Sequence, residues 1–370
     1  MNFSTENLAR VFAEDGKYEG FRRLASDLVR GNQLYDYDDA GNKVSVSKRE
    51  ANGAVRRVFM EVCGLTEDDL RSNKRRKRAE EQHKYEIYEI IEEDIEFKVQ
   101  EGFQDSEWFN RLVDQRNVAL GDANEFVSNE NQYFVVTEVS GDNHDITMQQ
   151  LMPGQSYMVK TTAHAVKIGK DIDLVILGRV AYSDWIQKIS DAFVQDTQKR
   201  VFDAVYGAEE KLPTGDTFKK TGTLSSTTKD SFDELLENVS AANNAEVLIC
   251  GTKTALKKLN SLADINWISD GQKDAVATMG RLSDYEGTEL VEAPQRFKVG
   301  TFEKMLPNNK LLVFARTDDK FVKFVDEGET EISEITEKAD LQDDFETYEV
   351  QRRYGVGTVL GQYFGVWTIE

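Results

Sequence analysis

Apolar residues recur at helical spacing most clearly between Tyr182 and Gly207, in YSDWIQKISDAFVQDTQKRVFDAVYG. Ile186, Ile189, Phe193, Val201 and Val205 fall near one face, while Asp184, Lys188, Asp191, Gln195, Lys199 and Asp203 fall mostly elsewhere. Ser183 is placed to cap the first turn, and Gly207 stands where a helix commonly ends. At about 1.5 Å per residue such a helix spans roughly 35–39 Å. The pattern predicts a long spine with β-rich segments on either side of it.

Before the spine the chain reads as helices and then strands. Tyr18–Arg30 has helical spacing (Phe21, Leu24, Leu28), and Leu34–Ser47 alternates around Asp39-Ala40-Gly41-Asn42 like a hairpin. Ser47–Val62 and Thr66 to about Gln100 predict two further helices, with Thr66 and Asp69 as a variant cap. Asp105–Leu120 predicts a shorter one with Trp108, Leu112 and Phe109 inward. From Asn131 to Ile176 the period shortens to two. Tyr133–Val139 and Tyr157–Lys160 flank a polar stretch, Ser140–Ser156, that holds Pro153 and Gly154. A two-stranded excursion of this kind is marginal alone and needs an outside surface to bury or pair it.

After the spine, Pro213–Lys229 reads as an exposed loop. A helix at Ser231–Val239, a strand at Glu246–Cys250 and a helix from Thr252 to about Asn260 open an α/β run that continues to Ala293. Lys310–Ala315 and Phe321–Val325 predict a hairpin across Asp318-Asp319. From Phe345 the tail alternates through Val350, Arg352 and Tyr354 and ends in the glycine-punctuated GVGTVLGQYFGVWTIE.

Composition narrows the function. A formal charge of −21 over 370 residues argues against a protein that reads nucleic-acid sequence, which needs a basic face for the phosphates. Two cysteines, Cys63 and Cys250, have neither metal spacing nor a disulfide framework, which favours a reducing compartment. The opening MNFSTENLARVFAEDGKYEG carries acids where a signal peptide needs an apolar run, and no stretch approaches the ~20 apolar residues of a membrane span. The expectation is a soluble protein made in the cytoplasm, with no membrane partner.

Segments that imitate catalytic or binding motifs each fail a physical test. Asp36, Asp38 and Gly41 imitate a calcium loop, but Ala40 and Ser47 occupy ligand positions, Ser47 where a bidentate glutamate belongs. Cys250-Gly251-Thr252-Lys253-Thr254 follows a strand and opens a helix, yet lacks the upstream glycine and the Gly-Lys pair that wrap a phosphate. Gly355, Gly357 and Gly361 have the wrong spacing for a dinucleotide fingerprint, and too few residues follow for a helix and crossover strand; close-packed strands explain them. His83, His144 and His164 are the only imidazoles, and none forms a readable nucleophile–base pair. His144 lies between Asp142 and Asp145, where an exposed polar tip explains it better than a metal. The run Lys74-Arg75-Arg76-Lys77-Arg78, followed by many glutamates, is explained by a solvated helix face, with a nucleic acid or a partner's acidic surface as the functional alternative. The reading therefore assigns no catalytic, cofactor-binding or metal residues and no cofactor.

The order of these parts carries a resemblance. SYMVKTTAHAVKIG leading through DIDLVILGRVAYSDWIQKISDAFVQDTQKRVFDAVYG, then AEVLICGTKTALKKL, GRLSDYEGTELVEAP and LPNNKLLVFARTDDKFVKFVDEG, then RRYGVGTVLGQYFGVWTIE, together resemble the major capsid protein of tailed bacteriophages, of the Hong Kong 97 type. The likeness covers about Phe126–Glu370 and is one of pattern. It implies an α+β fold: a helix-rich N-terminal extension or arm over residues 1–125, an extended β-hairpin E-loop over 126–170, a peripheral domain with the spine helix over 171–238, an axial domain over 239–339, and return strands of the peripheral domain over 340–370.

The resemblance also implies a function: a structural head protein assembling with itself into pentamers and hexamers of an icosahedral shell. Packaged double-stranded DNA would be a non-specific neighbour, scaffold, portal and decoration proteins would be further partners, and assembly would occur in the host bacterial cytoplasm, ending in the virion. An encapsulin-like nanocompartment shell enclosing cargo enzyme is the second reading, and an enzyme or binding protein with an α+β core the third. Some relatives weld subunits through an E-loop lysine; here no lysine lies between Lys98 and Lys160, and Lys160 and Lys167 sit toward the base, so no cross-link is expected.

Overall fold

The computed structural model describes residues 28–29, 31, 34–37, 43–62, 64–122, 124–128, 155–169, 171–213, 215–262, 270–298, 300–335, 347–358 and 362–370. The chain forms two compact units. One comprises Met1–Asp105, Thr162–Thr197 and Gly328–Arg353; the other comprises Ser106–Thr161, Gln198–Glu327 and Tyr354–Glu370.

In the first unit, β1 (Leu34–Tyr37) and β2 (Lys43–Val46) pair antiparallel, as the alternation predicts. Ser47 opens α1 (Lys48–Val62) through a reciprocal box: the Glu50 N–H donates to Ser47 Oγ, and the Ser47 N–H donates to Glu50 Oε2 at 2.9 Å. Those Ser47 donors hold the Glu50 carboxyl below its usual range. The residue that spoils the calcium loop is thus a helix cap.

Thr66 and Asp69 do meet, at 2.6 Å between Oγ1 and Oδ2, but they open a 3₁₀ turn (Asp69–Arg71). The α-helix, α2, begins at Asn73 and runs to Gln104. Ile91, Ile95, Val99 and Phe103, four residues apart, are all buried on it.

Asp171–Ile176 forms a short helix, α4, where the pattern had suggested strand. It is stopped by Gly178 at φ +69°, in a closure where the Arg179 N–H reaches Leu174 O and the Gly178 N–H reaches Val175 O. The spine, α5, runs from Tyr182 to Glu209, roughly 42 Å. All five apolar residues of its predicted stripe are buried. Two details of its ends differ from expectation. Ser183 does not cap; its own N–H is capped by Asn52 Oδ1 at 3.1 Å, reached from α1, so the cap is 131 residues away in sequence. Gly207 does not end the helix, which continues two residues further before turning through Lys211 and Leu212.

In the second unit, α3 (Glu107–Leu112) buries Trp108, Phe109 and Leu112 as predicted, then passes directly into strand β3 (Val113–Val118) instead of remaining helical to Leu120. Trp108 packs on Phe202 of the spine with ring centroids 5.2 Å apart.

The main sheet has the order β7-β14-β11-β8-β10-β9, formed by Lys219–Thr221, Gly365–Thr368, Lys310–Ala315, Val247–Gly251, Thr288–Glu292 and Asp284–Tyr285 respectively. Its central strands read LLVF and LICG through positions that are all buried, as expected for strands covered on both faces. Helix α6 (Lys229–Asn243) lays Phe232, Leu235, Val239 and Asn243 on this sheet. After β8, Thr252 Oγ1 accepts from the Ala255 N–H and starts the short helix α7 (Lys253–Lys257), and α8 spans Asp270–Met279.

The predicted hairpin of 310–315 with 321–325 does not form. Both edges of β11 are already taken, by β14 and β8. The next strand, β12 (Val322–Ile335), therefore pairs elsewhere: its first half, Val322–Glu327, runs parallel to β3. Two further strands are β6 (Thr162–Gly169) and β13 (Thr347–Thr358).

Candidate functional site

The described ends of the stretch read between 126 and 170 form a short two-stranded base with a dense set of polar bonds around it. β4 (Glu125–Ser128) pairs antiparallel with β5 (Gln155–Met158), Phe126 opposite Tyr157 and Val127 opposite Ser156. The strand expected at Tyr133–Val139 lies outside the described residues; among those described, the partner of Tyr157 is Phe126. Alternation puts Phe126 and Tyr157 inward, where their rings stack at 5.8 Å and 22° on Val159 and Val325. Immediately after β5, Asn124 and Val159 exchange two hydrogen bonds: Asn124 Nδ2 donates to Val159 O (2.8 Å) and the Val159 N–H donates to Asn124 Oδ1 (3.0 Å). A side chain thus satisfies both backbone groups of a buried residue that has left its strand.

Charges complete the base. Lys323 on β12, only 2% exposed, sits beside its strand partner Asp114 and donates to it at 2.8 Å; it also bonds Asp319. The same ammonium lies 5.6 Å from the Phe126 ring centre, and the Arg116 guanidinium lies 4.1 Å from it while donating to Glu125 O at 3.0 Å. Phe126 therefore meets two cations and one aromatic ring. Glu327 accepts from the Gly121 N–H at 3.0 Å and from Thr161 Oγ1, tying both ends of the excursion's root to β12. The Tyr157 hydroxyl is pushed up to about 12, first by burial and then by Asp319 and Asp114.

On the far side of Val159, Gly355 and Gly357 of β13 give the hairpin room. A Cβ on Gly355 would stand 2.4 Å from the Lys160 carbonyl oxygen, so only glycine permits this approach. The opposite, outward face of the hairpin carries Val127 and Met158, 57% and 67% exposed. What is built here is a root closed by polar bonds with two exposed apolar side chains on its outward face.

The family model for YonB, described as "SPbeta prophage-derived putative capsid protein YonB", matches residues 21–368. The chain belongs to this capsid-protein family. No curated protein matches it in sequence. Among solved structures, the virus-like particle of Pyrococcus furiosus is similar at 13% identity and TM-score 0.43, over 77% of this chain and 100% of that one. The mature capsid of bacteriophage PhiM1 is similar at 10% and 0.44, over 70% and 86%. The structure of Microbacterium phage Oxtober96 is similar at 13% and 0.45, over 72% and 91%. The family assignment rests on the sequence match alone.

In this capsid protein the motif-like residues take structural places. Cys250 is buried in β8 with its thiol pushed up to about 12 by burial, which keeps it protonated and unreactive. Gly355 and Gly357 are the close-packed strand positions, as read from the sequence, while Gly361, Asp38–Asn42, Cys63 and His144 lie outside the described residues. His164 pairs with Thr162 Oγ1 at 3.0 Å, and the side chain of His83 is not among those described. In the basic run, Arg75 pairs with Asp69, and Arg76 donates to Leu70 O. Asp69 is held at about 2, chiefly by its hydrogen bonds from Thr66 and Arg75. Lys160 and Lys167 are exposed. Among the described residues no group of three or more His, Cys, Asp or Glu side chains is placed to hold a metal, and no helix is long and apolar enough to cross a membrane. Sequence reasoning missed the Lys323–Asp114–Asp319 cluster. Its one signal was a lysine at an inward position of the apolar run Phe321–Val325.

Proposed function

We propose that this chain is the major head protein of a tailed phage or prophage, of the Hong Kong 97 type, whose copies form pentamers and hexamers of an icosahedral shell around double-stranded DNA. The match to a capsid-protein family over residues 21–368 carries this reading. The order of parts supports it: a helical N-terminal region, a hairpin rooted in a sheet, one helix of 28 residues and a six-stranded α/β module. So does the physics of the hairpin root. Val127 and Met158, still 57% and 67% exposed, gain roughly 1–2 kcal/mol each if a neighbouring copy covers them, and the polar root fixes the angle at which they are presented. A net charge of −21 suits a wall past which packaged DNA must move without sticking.

The test is direct. The purified full chain should elute as multi-megadalton particles on size exclusion and show closed shells by electron microscopy. Native particles from the lysogen should contain nuclease-protected DNA. A chain that remains monomeric at every concentration removes the reading, and shells filled with an enzyme instead of nucleic acid replace it with a nanocompartment.

A further inference from the structure

Between β10 and β11 the second unit raises a small hairpin. Its legs are joined by the Lys298 N–H donating to Glu303 O and the Met305 N–H donating to Arg296 O, both at 2.8 Å. A Lys298–Glu303 ion pair at 2.9 Å crosses it, and Gly300 turns the tip at φ +75°. Its foot is fixed as firmly: Gln295 and Leu306 exchange bonds of 2.7 and 3.0 Å, and Gln198 of the spine donates to Pro294 O at 2.6 Å. On this frame stand two phenylalanines in edge-to-face contact at 6.1 Å, Phe297 at 53% exposure and Phe302 at 95%. Phe302 is the most exposed large apolar side chain among the described residues. Around them Arg296, Lys298 and Lys304 outnumber Glu303, so a locally cationic knob rises from a chain of net charge −21.

We propose that this aromatic hairpin is an assembly contact, with Phe302 and Phe297 buried against an acidic surface of a second copy of this chain. The proposal rests on the capsid reading. Pre-organisation argues for docking, because a knob already rigid loses little freedom when it binds. Charge complementarity names the occupant, since every neighbouring copy is strongly acidic. Nucleic acid fits less well. Lys298 is already neutralised by Glu303, which leaves Arg296 and Lys304 as the hairpin's remaining cations, and two phosphate contacts give a salt slope of only about 2.

The experiment compares the full-length wild type with Phe302→Ser, Phe302→Leu and Lys304→Glu by sedimentation velocity over a concentration series, with electron microscopy. Phe302→Ser should melt like the wild type but need at least about tenfold more protein to assemble, equivalent to about 1.4 kcal/mol. Phe302→Leu should recover most of that loss, Lys304→Glu should reproduce part of it, and the wild type should assemble less readily as salt rises. Wild-type shells together with Phe302→Ser shells at the same concentration overturn the contact while leaving the capsid reading intact. A wild type that never assembles overturns both. If assembly is unchanged but a duplex-DNA mobility shift is lost in Phe302→Ser and Lys304→Glu, the knob is a nucleic-acid contact and the proposal falls.

Discussion

The six-stranded sheet and the root of the hairpin lie in one unit and are held together by opposite means. The sheet is closed by apolar area: Ile249, Leu311, Val313, Phe232 and Leu235 have essentially no exposure, and its central strands bond on both edges. The root has a small apolar cluster of Phe126, Val159 and Val325, and is completed by Lys323, Asp114, Asp319, Arg116, Asn124 and Glu327. Apolar burial is non-directional and tolerant, whereas charge-assisted bonds demand geometry and fail when one partner is lost. The first arrangement gives strength. The second fixes an angle.

The largest effect expected tests the sheet. Phe232 packs edge-to-face on Tyr285 and Trp367, at 5.5 and 5.4 Å, and is fully buried. Phe232→Ala should cost about 3–5 kcal/mol of stability, measured on the unassembled chain by urea unfolding followed through tryptophan fluorescence. A cost below about 1 kcal/mol would mean the sheet is not the apolar core described.

The next effect separates the two regions. Lys323→Ala should cost about 2–4 kcal/mol, because it leaves a hole and removes the buried cation from two carboxylates that are about one-third exposed, Asp114 keeping only Arg116 at 4.0 Å. Lys323→Met, which refills the volume, should cost less than half as much. In both variants amide exchange at Val159 should accelerate ahead of that at Val313, since the root should open before the sheet. Equal acceleration at the two amides would erase the distinction between the regions.

A third, smaller effect probes the contact that gives the hairpin its seat. Gly355→Ala places a methyl group against the Lys160 carbonyl, and the backbone must move, for about 1–3 kcal/mol. Shell assembly should suffer more than stability. A variant that assembles normally with unchanged stability would show that the close approach is not needed.

The same contrast explains what could be read in advance. The spine's five apolar residues, the trio Trp108, Phe109 and Leu112, and strands β8 and β11 are legible because period and burial agree locally. The switch of β12 out of an apparent hairpin is not, because it depends on β14 filling an edge of β11 from more than 50 residues downstream. Nor is the root: Lys323 and Asp114 are 209 positions apart, and Asn52, the true cap of the spine, is 131 from Ser183. A polar side chain whose partner is distant reads in sequence as a surface residue. The motif-like glycines at 355 and 357 could be assigned to close packing, but not to the particular carbonyl and valine they admit.

The smallest expected effect lies in the root itself. The Tyr157 hydroxyl is buried and has no hydrogen-bond partner among the described residues. Removing it by Tyr157→Phe keeps the stacking on Phe126 and deletes an unsatisfied polar atom, so stability at pH 7 should be unchanged or rise by up to about 1 kcal/mol. Alkaline titration gives the sharper reading. Burial raises the folded-state pKa from 10.0 to about 12, so the unfolded chain loses this proton first. The contribution is therefore fully present below pH 10 and is lost as pH rises through about 12. Buried Tyr206 shifts in the same direction, so the informative quantity is the difference between wild type and Tyr157→Phe. That difference should be flat up to about pH 9 and then move in favour of the phenylalanine variant between pH 10 and 12. A flat difference across the whole range would place Tyr157 in water and remove the dry, charge-lined root from the account of how the hairpin is held.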